Sequence, residues 1–78
     1  MPIKELIQYI AQGLVDNHYN VSVNEIVGLQ TMVFELKVAK NDLGKVIGKH
    51  GRNAQAMRTI LSAVSAKSNK RVVLEIID

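Results

Sequence analysis

Cysteine is absent from this 78-residue chain, so neither a disulfide framework nor a thiolate zinc site can be built from it. Proline occurs only at Pro2, and no linker, internal repeat or low-complexity tract divides the sequence. Aromatic rings are few: Tyr9, Tyr19 and Phe34. Modules that read bases by stacking them on exposed rings need more than this, and Phe34 alternates with core-like Met32 and Leu36, so ring-based reading is excluded. No apolar run exceeds three residues, far short of the roughly 20 that span a bilayer. Lys4 and Glu5 interrupt the N-terminal stretch, and a secretory signal is not expected. These absences point to a cytoplasmic protein with no membrane contact.

What is present is ordinary in amount and uneven in placement. The length allows one small domain, and 47 % hydrophobic with 22 % charged residues is a globular composition. The formal charge of +3 says little by itself. Between Lys37 and Arg58, however, stand six basic residues (Lys37, Lys40, Lys45, Lys49, Arg52, Arg58) against Asp42 alone. The rest of the chain is slightly acidic. A basic field gathered into one stretch is what a surface for a polyanion requires, although a solvated helix face would carry the same charges.

Hydrophobic spacing gives the elements. Ile3, Leu6, Ile7, Ile10, Leu14 and Val15 recur at intervals of three and four, which predicts an amphipathic helix with Pro2 in its first turn. Gly13 within it is expected to mark a close approach. Asp16–Asn20 reads as a polar loop. Val21, Val23, Ile26 and Val27 predict a strand with an irregularity near Asn24–Glu25, and Gly28–Gln30 a turn. Met32, Phe34, Leu36 and Val38 alternate with more polar neighbours, a half-buried strand. Asp42 is placed to cap a short helix containing Leu43, Val46 and Ile47. A longer helix runs from about Arg52 to Lys67 on a stripe of Ala54, Met57, Ile60, Leu61 and Val64, with Asn69 as a left-handed cap. Arg71–Ile77 is the last strand. The predicted class is α+β: order α-β-β-α-α-β, with the helices on one face of a three-stranded sheet.

Between the two later helices lies Gly48-Lys49-His50-Gly51. Gly-x-x-Gly alone is a weak signal, but here it separates two helices and Arg52 opens the second. Glycine at both ends permits a sharp bend and leaves no β-carbon to block a phosphate from the main chain. The first N–H groups of a helix are unpaired and carry a favourable dipole. Lys49 and Arg52 add charge there, and His50 can donate a hydrogen bond. The combination predicts a seat for a nucleic-acid backbone; a corner that uses glycine for geometry alone is the competing reading. A Walker loop fails on spacing, and no Gly-x-Gly-x-x-Gly occurs. His18 and His50 have no paired carboxylates or metal-ligand spacing near them, and Ser62, Ser65 and Ser68 lack a histidine partner, so no enzyme, cofactor or metal site is expected.

The string Leu43-Gly-Lys-Val-Ile-Gly-Lys-His-Gly-Arg-Asn-Ala-Gln-Ala-Met-Arg58 resembles the core signature of a KH domain. The helix and strand before it resemble the type II arrangement, and the whole is similar to the small single-domain bacterial KH proteins called KhpA. The resemblance implies one KH domain over residues 1–78, its core motif at about 31–77 and an added helix and strand at 2–28. It also implies a cleft for about four single-stranded ribonucleotides. Carried onto this sequence, Gly48, Lys49, His50 and Gly51 hold phosphates, Lys45 and Arg52 flank them, and Val46, Ile47, Ala54 and Met57 floor the bases. One wall is formed by the two helices, the other by the sheet edge with the Gly28–Thr31 turn. Simple core packing is the alternative for the four apolar residues, and a structural salt bridge is the alternative to phosphate contact for Arg58. Ala54 and Met57 stand where larger or branched residues are common, which makes the groove shallower. The implied role is RNA chaperone or post-transcriptional regulator, with no small-molecule substrate, pairing as a homodimer or with a second KH protein. The rival is a protein-interaction adaptor on the same scaffold, ribosome-associated in one version.

Overall fold

A computed structural model describes residues 2–78. Its first helix, α1 (Ile3–Leu14), follows the predicted stripe and buries Ile7 and Ala11. Pro2 stands just outside, extended at φ −62° and ψ 141°, and its carbonyl accepts the Leu6 N–H at 3.1 Å. A β-carbon at Gly13 would meet nothing within 4 Å, so the expected close approach is absent and nothing in the structure explains this glycine. The polar loop contains a short 3-10 turn at His18–Asn20, with His18 exposed.

Strand β1 (Ser22–Val27) pairs antiparallel with β2 (Thr31–Lys37), and β2 pairs parallel with β3 (Arg71–Ile77). Sheet order is β1-β2-β3. The expected irregularity in β1 does not occur: register runs unbroken from Ser22 opposite Lys37 to Val27 opposite Met32. What suggested it was Ile26 followed by Val27, two apolar residues that break the alternation. Both are exposed; the covered residues here are Val21, just before the strand, and Val23 within it.

A parallel β2–β3 pair needs a crossover, and the two later helices supply it. After a 3-10 turn at Lys40–Asp42 come α2 (Leu43–Ile47), a second 3-10 turn at Lys49–Gly51 and α3 (Arg52–Ser68). Asn69 ends α3 at φ 57°, the left-handed cap read from the sequence. Met57 and Leu61 of α3 and Val46 of α2 join Ile7 and Ala11 against Val23, Phe34, Leu36 and Leu74 of the sheet, in one cluster on one face. The fold is α+β with element order α-β-β-α-α-β. Ile60, counted in the predicted stripe, lies off it and is exposed. No helix among the described residues is long and apolar enough to cross a membrane.

Candidate nucleic-acid interface

The break between α2 and α3 is held by unusual backbone geometry. Gly48 has φ 79° and ψ 170°, a combination essentially confined to glycine. Gly51 at φ 73° and His50 at φ 57° are left-handed. Three short-range bonds close the bend: Gly48 N–H to the Gly44 carbonyl at 2.8 Å, Gly51 N–H to the Gly48 carbonyl at 3.0 Å, and Arg52 N–H to the Lys49 carbonyl. The chain thus turns within four residues and enters α3, a 17-residue helix, with its first turn next to the bend. Lys49, His50 and Arg52 are exposed, and no carboxylate pairs with any of them among the described residues. Free cations stand beside the start of α3, at the positive end of its dipole, which suits an anionic ligand.

Beside the bend runs a groove. Its first segment, about 460 Å³, lies between Ile47, His50, Gly51, Ala54, Gln55 and Arg58 on the helical side and Ile76 on β3. A second segment lies between Arg58, Leu61 and Ser62 and the strand residues Arg71–Leu74. Arg58 lines both and stands between them. It has no acidic partner among the described residues; its Nη2 donates to the Leu74 carbonyl at 3.4 Å, across the open edge of β3. The salt-bridge alternative for Arg58 is therefore set aside. The facing wall is the edge of β3, and the Gly28–Thr31 turn is not among the lining residues. That turn is tied to the start of β3 by the Arg71 N–H donating to the Gln30 carbonyl at 2.9 Å.

The residues singled out in the sequence divide into two groups. Ile47, Gly48, Lys49, His50, Gly51 and Arg52 gather at the bend and groove; Ala54 lines the groove but is only 3 % exposed, so it serves the core as well. Val46 and Met57 are instead core residues, the first fully buried, so their side chains serve the fold. Lys45 is turned to the other side, paired with Asp16 and lying 3.6 Å from an Asp42 carboxylate oxygen. Gln55 and Ile76 line the groove without having been foreseen. Gln55 sits four residues after Gly51, a helical spacing that could have found it. Ile76 could not be found this way, since only the sheet order makes β3 an edge.

Asp42 also departs from expectation. It occupies the cap position of α2 but makes no capping bond. It is 3 % exposed and accepts the backbone N–H groups of Asn17 at 3.1 Å and Asp16 at 3.3 Å. Burial pushes its carboxyl up, but these two bonds and Lys45 outweigh it and hold it below the usual carboxylate range. The hydrogen bond to Asp16 raises Lys45 above the ordinary lysine value, against its own desolvation. Asp42 thus staples the loop after α1 to the start of α2, and Lys45 serves that staple. This fixes the base of the bend rather than its tip.

Comparison with known proteins places the whole chain in one family. The family model described as "KhpA/KhpB, KH domain" matches residues 4–76. The RNA-binding protein KhpA of Caldanaerobacter subterraneus subsp. tengcongensis is 58 % identical over 73 residues, 94 % of this chain and 97 % of that one. The RNA-binding protein KhpA of Clostridium perfringens is 52 % identical over 75 residues, 96 % and 100 % of the two chains. That of Aquifex aeolicus is 53 % identical over 76 residues, 97 % and 96 %. No solved structure gives a significant match.

Proposed function

The chain belongs to the KhpA/KhpB KH-domain family, and from that premise we propose that it binds single-stranded RNA in the groove between the Gly48–Gly51 bend and the edge of β3. The observation that carries this reading is the bend itself: positive-φ backbone at Gly48, His50 and Gly51, with unpaired Lys49 and Arg52 beside the start of α3. A sugar–phosphate strand laid there meets amides and cations at the bend, while its bases lie over Ile47 and Ala54 toward Ile76. Such a groove takes about four nucleotides. Arg58, midway along it, offers a guanidinium to phosphate or base.

One shallow groove with three cations gives modest affinity, and pairing with a second KH protein or a second copy raises it by avidity. The role that fits is RNA chaperone or post-transcriptional regulator in the cytoplasm, acting without cofactor or catalysis. The salt dependence of binding tests the phosphate seat. Lys49, Arg52 and Arg58 at about −0.7 each give a log–log slope near −2, so affinity falls roughly 16-fold between 50 and 200 mM salt. A slope near zero, measured by fluorescence anisotropy with a labelled oligoribonucleotide, contradicts the reading.

A further inference from the structure

Asn53, half-buried in the first turn of α3, lies on the inner side of the bend, whereas Lys49 and His50 are exposed. Its Nδ2 donates to the Lys45 carbonyl at 2.9 Å. In an uninterrupted helix that carbonyl would be filled by the N–H of Lys49. Because Gly48 turns the chain away, Asn53 stands in as the donor, and Lys49 is released from the helical ladder. The same side chain occupies the space beside Gly48: a β-carbon placed there would come within 2.6 Å of Asn53 Cγ. One residue therefore satisfies the end of α2, fills the inside of the bend and ties α2 to α3.

We propose that Asn53 is a positioning residue for RNA binding: it holds the Gly48–Gly51 bend in the shape that presents its outward amides, without itself touching the strand. The inference rests on the RNA-binding reading above. Three positive-φ residues within four make a segment that alternative conformations would otherwise claim. The backbone bonds inside it are local and reach no farther than Arg52, the first residue of α3. The Asn53 amide is the side-chain link that spans the whole bend, from α3 back to the end of α2. A bend left to fluctuate binds less tightly because ordering it must then accompany binding.

The test uses the full chain, Asn53→Ala and Asn53→Asp, the second keeping the shape while losing the donor. Amide exchange at residues 48–51 is measured without ligand, and affinity is measured with a mixed pool of octaribonucleotides. Both variants are expected to exchange faster at the bend and to bind about tenfold more weakly, with melting temperatures well above the assay temperature. Gly48→Ala is also expected to be less damaging in the Asn53→Ala background than in the native chain. Unchanged exchange together with unchanged affinity overturns the proposal. Weaker binding with an unaltered free bend overturns it too, by making Asn53 a direct contact. If the native chain binds no RNA, the reading beneath the inference fails, while faster exchange at the bend still supports the clamp.

Discussion

Replacing Lys49 and His50 together by aspartate is expected to weaken RNA binding on the order of 100-fold while leaving the melting temperature nearly unchanged. Both side chains are exposed, neither touches the core, and no hydrogen bond of the bend depends on them. Aspartate tolerates the left-handed conformation that residue 50 adopts at φ 57°. The fold thus loses little. The ligand meets one cation fewer and two anions more, each worth about 1 kcal/mol near a phosphate even at the dielectric of water. Together these amount to about two decades of affinity. Isothermal titration with a short oligoribonucleotide, paired with a thermal melt, checks both halves. Retained RNA binding with loss of a protein partner would favour the adaptor reading.

Gly48→Ala is expected to be the most damaging single change at the site, and clearly worse than Gly51→Ala. At Gly51 the backbone is left-handed with ψ 15°, and a β-carbon would meet nothing within 4 Å. Alanine there carries only the left-handed penalty, about 1–2 kcal/mol. At Gly48 the φ/ψ pair lies in a region that side chains essentially do not enter, and the added carbon would overlap Asn53. The backbone term alone costs about 1–3 kcal/mol. Part of it is relieved by opening the bend, which removes the phosphate seat. Gly48→Ala should therefore lose RNA binding by at least tenfold and melt lower, whereas Gly51→Ala should melt lower by less and keep more of its binding. Chemical denaturation and anisotropy titration of the two variants decide the order.

The elements of the fold were largely legible in the sequence because each has one dominant period. The threes and fours of α1 and the alternation of Met32–Val38 leave little choice. The errors fall where a residue's partner lies far along the chain. Asp42 looks like a helix cap from its neighbours alone, yet it holds the N–H groups of Asp16 and Asn17, 26 and 25 residues earlier. Lys45 follows it out of the expected phosphate flank for the same reason. In β1, Ile26 followed by Val27 suggests a kink only if both must be buried, and in the fold neither is.

The candidate site was legible where its residues are consecutive, as in Gly48–Arg52, and illegible where topology supplies the partner. Val46 and Met57 share the helical period of groove and core alike, so periodicity could not assign their side; the packing of α2 and α3 on the sheet turns both inward. The wall at Ile76 exists because β3 pairs with β2 alone and leaves an edge open. Asn53 gave no signal, since its partners are a carbonyl and the bare face of a glycine.

The most direct measurement is a heteronuclear NMR titration of the native chain with short oligoribonucleotides. Shifts concentrated at the backbone amides of residues 48–52, spreading along Ala54, Arg58 and the β3 edge, are the predicted result. Amides of the bend that stay in place while RNA is added, or shifts confined to another surface, would contradict it.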